Sequence, residues 1–265
     1  EEKIYRDAGV PCEFVGHPVL EEIESIIKST VINSQKSSMK NNDQCLMTND
    51  VRTFELRTHF KSALGLDPGK PLLSLLPGSR PHELQRLLPV MIDIVTRVKG
   101  DSGSPLSDYQ FCMPLAPNTD ESKYGPLFQR LNDEGVAIKK GESVPVLAAS
   151  DLAVIASGTA TLQAAFLEVP MVVVYKLSPL TFLLGKHIVK VENISLVNIL
   201  AGRTVVRELL QEAASPEKVI KELTKIVSDK RHREEMLDHY RTIKRPFQGR
   251  KASERVAEIV IEMTE

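Results

Sequence analysis

SDLAVIASGTATLQAAFLEVPMVVVYK, residues 150–176, reads as a complete strand–helix–strand unit. Leu152–Ala156 and Met171–Tyr175 are unbroken apolar runs of strand length. Between them Ala160–Leu167 fits a short helix, entered through Ser157-Gly158-Thr159. Strands with no polar alternation belong in a sheet covered on both faces, and a helical crossover makes its two strands parallel. The same pattern extends upstream. Leu72–Leu76 (LLSLL) is a further buried-strand run, followed by a helix over Glu83–Val98 that gathers Leu84, Leu87, Leu88, Met91, Ile92 and Val95 on one side. Tyr109–Met113 and Val136–Ile138 read as strands, with helices at Glu121–Asn132 and Val144–Ala149. The alternation predicts an α/β fold, a doubly wound parallel sheet. Helices collect at the C-terminal end, over Pro216–Val227, Arg231–Arg241 and Lys251–Met263, with another candidate at Leu180–Val189.

The N-terminal region is less regular. Cys12–Val15 (CEFV) is a strand candidate, and Val19–Lys28 has the pattern of one or two helical turns. Residues 29–50, rich in Ser, Asn, Gln and Lys, carry no sustained period and read as a loop or disordered insertion, the plain alternative being an ordered surface loop. Val51–Leu64 is again helical in pattern, and Glu1 opens into a helix end and a Gly-Val-Pro turn, with no signal peptide visible. The expectation is that an upstream segment precedes it.

Composition narrows the function. The 265 residues are 42% hydrophobic and 26% charged, enough for a full core without disulfides or metal. A net charge of −1 provides no global field for nucleic acid or anionic membrane, so anion binding must be local. Three cysteines, Cys12, Cys45 and Cys112, with no CxxC pair, argue against a disulfide framework or zinc site and for a reducing compartment. The six histidines lack zinc spacing, and GxSxG, GxGxxG and GxxxxGK[ST] are absent. No apolar run approaches the roughly 20 residues that span a bilayer.

In a doubly wound sheet, ligands sit beyond the carboxyl ends of the strands. Two strand-to-helix junctions have suitable composition. Pro77-Gly78-Ser79-Arg80 offers a glycine for close backbone approach, the Ser79 hydroxyl, and the forked Arg80 guanidinium suited to phosphate. Ser157-Gly158-Thr159 presents a helix N-terminus that can cradle a diphosphate, with Gln163 one turn on, in reach of a ribose hydroxyl. Each is equally, taken alone, a capped turn. Ser195 and Asn198 place polar groups in the apolar segment ISLVNILAGR, residues 194–203, where the plain alternative is a loop that satisfies its own backbone. Asp151 reads as a cap, and Glu208 and Glu212 as solvated helix positions.

Three stretches in order resemble one family: LLPGSRPHELQRLLPVM, the residues 150–191 block, and ISLVNILAGRTVVRELLQ. The family is lipid-A-disaccharide synthase, and the resemblance covers residues 10–223 apart from the polar insertion. It implies the nucleotide-sugar-binding lobe of a GT-B-type glycosyltransferase that transfers 2,3-diacylglucosamine from UDP to 2,3-diacylglucosamine 1-phosphate with inversion. It implies no metal and no cofactor. By position, Arg80 and Asn198 are the implied catalytic residues, and Gly78, Ser79, Ser157, Gly158, Thr159, Gln163 and Arg203 the implied donor contacts. Gln163 stands where the family usually has Glu, a loss of charge assistance. The implied organisation is an N-terminal-lobe remnant over residues 1–28, the insertion at 29–50, a UDP-sugar domain at 51–229 and C-terminal helices at 230–265. The acceptor lobe, with the general base, is expected to lie upstream, so that this polypeptide alone does not turn over. Acylated substrates imply a cytoplasmic site of action peripheral to the membrane in a bacterium, or a mitochondrial or plastid one in a eukaryote. A homodimer is compatible with the apolar C-terminal helix. Two other readings stay open: a different UDP-sugar transferase or epimerase of the same fold, and a non-catalytic donor-binding remnant.

Overall fold

A computed structural model describes residues 2–10, 12–37, 49–177 and 193–264. The helix expected at Leu180–Val189 lies outside the described residues. The chain divides into two compact units, one of residues 41–243 and one that joins residues 1–40 to 244–265.

The larger unit is the doubly wound sheet. Its strands are β1 (Leu72–Leu76), β2 (Gln110–Leu115), β3 (Ala137–Lys140), β4 (Leu152–Ala156), β5 (Met171–Tyr175) and β6 (Glu208–Leu210). They run parallel in the order β3-β2-β1-β4-β5-β6. LLSLL and LAVIA are buried at every position, the state their unbroken apolar character predicts. The one polar residue inside β1, Ser74, donates its hydroxyl to the Leu152 carbonyl of β4 at 3.5 Å. β6 was not expected: Glu208 lies on a strand, in register with Val173 of β5, and not on a helix face. The sheet winds outward in both directions from β1 and β4. The winding sense therefore reverses between these two strands, and Leu76 lies opposite Ile155 at their carboxyl ends.

Helices of this unit are α3 (Asn49–Ala63), α4 (Pro81–Gly100), α5 (Gly125–Asp133), α6 (Ser143–Ala149), α7 (Thr159–Phe166), α8 (Leu196–Ala201), α9 (Pro216–Ser228) and α10 (Lys230–Lys244, whose last residue belongs to the other unit). α4 buries Leu87, Leu88, Met91, Ile92, Ile94 and Val95 completely. At the amino end of the sheet Asp151 does far more than cap. One carboxylate oxygen accepts from Lys61 Nζ at 2.8 Å and from the Leu72 amide at 2.9 Å; the other accepts from Arg57 at 3.3 Å. This carboxylate ties α3 to the starts of β1 and β4.

In the smaller unit, α2 (Pro18–Ser37) is a 20-residue helix, well beyond the one or two turns expected, and it takes up the first part of the presumed insertion. Its apolar residues Val19, Leu20 and Ile23 are buried. The short α1 (Glu2–Asp7) precedes it, and α11 (Ala252–Glu262) closes the chain. Cys12–Val15 forms no strand. Side chains hold it instead of a ladder: Arg250 donates to the Phe14 carbonyl at 2.7 Å and stacks its guanidinium 5.0 Å from the Phe14 ring centre, and Arg255 grips Glu13 through two hydrogen bonds. Glu21 accepts from the Ser253 amide at 3.0 Å, capping the start of α11.

Two outcomes follow from this packing. Asp151→Ala strands two largely buried cations and should cost about 3 kcal/mol in urea denaturation. Cys112 is fully buried in β2, and burial pushes its thiol up to about 12. Native protein treated with iodoacetamide at roughly pH 8 should leave Cys112 unmodified by peptide mapping until denaturant is added, because only the thiolate reacts.

Candidate functional site

The reversal between β1 and β4 opens the crevice where a doubly wound sheet takes its ligand. Both predicted turns stand there side by side, Pro77–Arg80 leaving β1 and Ser157–Thr159 leaving β4.

The two turns are built differently. Gly78 has φ +95°, and a Cβ there would overlap Glu83 Oε2, so only glycine fits. Glu83 is buried beneath the turn; its Oε2 accepts from the Ser79 and Arg80 amides at 3.1 and 3.2 Å. That carboxylate occupies the two donors that an anion at this turn would otherwise seek. The Arg80 side chain stays 67% exposed, with its guanidinium 3.5 Å from Glu83 Oε1. Ser79 is also exposed. Tyr124 donates to the Pro81 carbonyl at 3.0 Å, which steadies the first turn of α4.

At the second turn, Gly158 adopts φ +156°, ψ −164°, a region that is almost exclusively glycine's. A Cβ at Gly158 would meet nothing within 4 Å, so bare backbone faces open space beside the N-terminus of α7. Ser157 is turned away, donating to the Ile194 carbonyl at 3.3 Å, while Thr159 is exposed. The Gln163 side-chain oxygen accepts from the Ser143 hydroxyl of α6 at 3.4 Å. The first-turn N–H groups of any helix lack intrahelical partners and carry partial positive charge. The second turn thus offers backbone, and the first offers a guanidinium.

Asn198 is fully buried and its amide is fully used. Oδ1 accepts from the Val205 and Val206 amides at 2.7 and 2.9 Å; Nδ2 donates to the Val206 carbonyl at 2.9 Å and to Glu208 at 2.7 Å. Its geometry is that of a brace within the segment, not of a group reaching a ligand. Glu208 completes the brace, accepting also from the Ile194 amide and from the amide and hydroxyl of Ser195. Arg203, by contrast, is exposed.

Glu83, Glu208 and Ser143 were not among the expected site residues. Glu83 had a local signal, standing three residues into the helix after its N-cap at Arg80, the capping-box spacing. Glu208 had none, since its partners lie ten or more residues away. Among the described residues no cluster of His, Cys, Asp and Glu is arranged to hold a metal ion, and no helix is long and apolar enough to cross a membrane.

A family model described as lipid-A-disaccharide synthetase matches residues 46–260. The chain belongs to the lipid-A-disaccharide synthetase family. The matched span contains both crevice turns and the Asn198–Glu208 brace. Lipid-A-disaccharide synthase of Myxococcus xanthus is 35% identical over 265 residues, 99% of this chain and 60% of the relative. That of Syntrophus aciditrophicus is 36% identical over 244 residues, 91% of this chain and 55% of the relative. The chain therefore spans about 60% of the length of these curated relatives. More distantly, the solved structure of E. coli ADP-heptose lps heptosyltransferase II aligns with 71% of this chain and 56% of its own at 14% identity and a TM-score of 0.47.

Asn198→Ala removes the acceptor of two buried amides and should lower stability by about 2 kcal/mol in urea denaturation. The exposed Arg203→Ala should stay within about 0.5 kcal/mol of the parent. Equal losses in both would contradict the brace.

Proposed function

We propose that the 41–243 unit is the UDP-sugar-binding lobe of a GT-B-type glycosyltransferase. On this reading the enzyme joins 2,3-diacylglucosamine from its UDP donor to 2,3-diacylglucosamine 1-phosphate. The observation that carries the reading is the pairing of an exposed arginine with a bare glycine backbone at the crevice between β1 and β4.

The chemistry divides between the two turns. The diphosphate lies against Gly158 and Thr159 at the N-terminus of α7, where backbone donors and the helix dipole favour negative charge. Arg80 meets it from the other turn, aided by the Ser79 hydroxyl. As the bond between the anomeric carbon and the diphosphate breaks, charge grows on the departing UDP. The exposed Arg80 guanidinium, 3.5 Å from Glu83 Oε1, stabilises that charge. Gly78 supports this indirectly by letting Glu83 close beneath the turn. Gln163 meets the ribose through its amide, a weaker grip than a carboxylate's. Ser157 holds the turn itself, Arg203 lines the donor side, and Asn198 is a positioning residue that keeps residues 194–206 in shape.

The acceptor contacts and general base belong, on this reading, to sequence beyond the span shared with the relatives. Both substrates carry acyl chains, which favours action at a membrane surface. A donor-binding role without turnover is the second reading, and the engagement of Gln163 by Ser143 favours it.

Calorimetric titration of the 265-residue chain with UDP tests both. Binding should occur, and Arg80→Ala and Gly158→Val should each weaken it by about tenfold or more. UDP affinity unchanged in both variants would remove the basis for the site. No disaccharide should form from this polypeptide alone with UDP-2,3-diacylglucosamine and its acceptor; product in a mass-spectrometric assay would show that it holds a base after all.

A further inference from the structure

The strand ends opposite the crevice hold a second cleft, of about 490 Å³. It lies where Glu168 precedes β5 and where α3 meets the junction of α9 and α10. Its volume is that of a small-molecule site. Four cationic side chains line it, Arg57, Lys230, Arg233 and Arg241, against two carboxylates, Glu168 and Glu234.

The inner pair of cations is fixed. Arg57 is anchored to Asp151 and to the Glu168 carbonyl at 3.2 Å, and Arg241 to Glu168 at 2.9 Å. Glu168 is thereby committed. Lys230 and Arg233 make no hydrogen bond or ion pair of their side chains among the described residues. They stand in a first turn that reads Lys230-Arg231-His232-Arg233, with no acid within it; Asp229 caps α10 from just outside, accepting from the His232 amide at 3.0 Å. Cations there oppose the helix dipole. Burial holds the Arg57 guanidinium below the usual arginine range; Asp151 pulls the other way, and repulsion from Arg233 across the cleft adds a smaller push downward. Like charges gathered this way in a concave wall are relieved by an anion. Phe54, Val227 and Leu237 complete the wall with apolar surface, Phe54 being 68% exposed.

We infer that this cleft binds a phosphate-bearing molecule, whose phosphate is taken by Lys230 and Arg233 in front of Arg57 and Arg241 and whose apolar part rests on Phe54, Val227 and Leu237. Phosphate fits because it accepts several charge-assisted hydrogen bonds at once, and arginine's fork suits it. The site is separate from the crevice: the five-residue strands between them span roughly 16 Å. It stands whether or not the donor reading does.

The test titrates the whole chain with phenyl phosphate and with inorganic phosphate by calorimetry. In parallel, the chain is sedimented with phosphatidylglycerol and with phosphatidylcholine vesicles. Phenyl phosphate should bind more tightly than inorganic phosphate, and Lys230→Gln with Arg233→Gln should weaken it by about tenfold or more. Arg233→Lys should recover most of the affinity, which separates lost charge from lost fold. Sedimentation with phosphatidylglycerol alone, lost in the same double variant, would assign the phosphate to a lipid headgroup. Arg80→Ala should leave all of this within about twofold, so failure here and failure at the crevice are read separately. Absence of binding in every arm, binding indifferent to the double variant, or binding abolished by Arg80→Ala would each overturn the site.

Discussion

One carboxylate organises the amino end of the sheet. Asp151 takes the Leu72 amide, Lys61 and Arg57, so a single side chain joins β1, β4 and α3. The constraint behind this is general. Strands buried on both faces cannot host charges along their length, so polar bonds collect where strands begin and end. Asp151 acts at the one boundary where the winding reverses. By fixing β1 against β4 from below, it also sets which two turns face each other above.

The carboxyl end repeats the device with different partners. Glu83 and Glu208 are acids that organise backbone: one closes the Pro77–Arg80 turn, and the other gathers Ile194, Ser195 and Asn198. Neither presents itself as a reacting group. What they leave outward is an arginine on one turn and a glycine backbone on the other. Preorganisation of this kind places the cost of arranging charge in folding rather than in the reaction.

Much of this was legible in the residues. LLSLL, LAVIA and MVVVY could be read as buried parallel strands because their apolar runs have no period, and the turns after two of them followed from Gly78 and Gly158. What stayed hidden depended on distance. β6 is three residues long and exists through its pairing with β5, so no local pattern announces it. The polar stretch after Lys28 lacked helical periodicity, yet α2 continues through it to Ser37. CEFV looked like a strand, but arginines from the far end of the chain hold it as irregular backbone. Asn198 was singled out correctly as a polar group in apolar surroundings. The plainer of its two explanations, backbone satisfied within the segment, describes its bonds.

The two rims of the sheet have a further consequence. β3 is four residues long and ends in Lys139 and Lys140; β6 is three residues long and carries Glu208. Intermolecular strand addition needs a long, flat, uncharged rim, and neither edge provides one. A chain whose centre is three of the most aggregation-prone kinds of segment, LLSLL, LAVIA and MVVVY, thus keeps them two ladders away from any neighbour's backbone on one side and at least one on the other. The short outer strands leave the apolar centre of the sheet without a long rim on which a second copy could extend it.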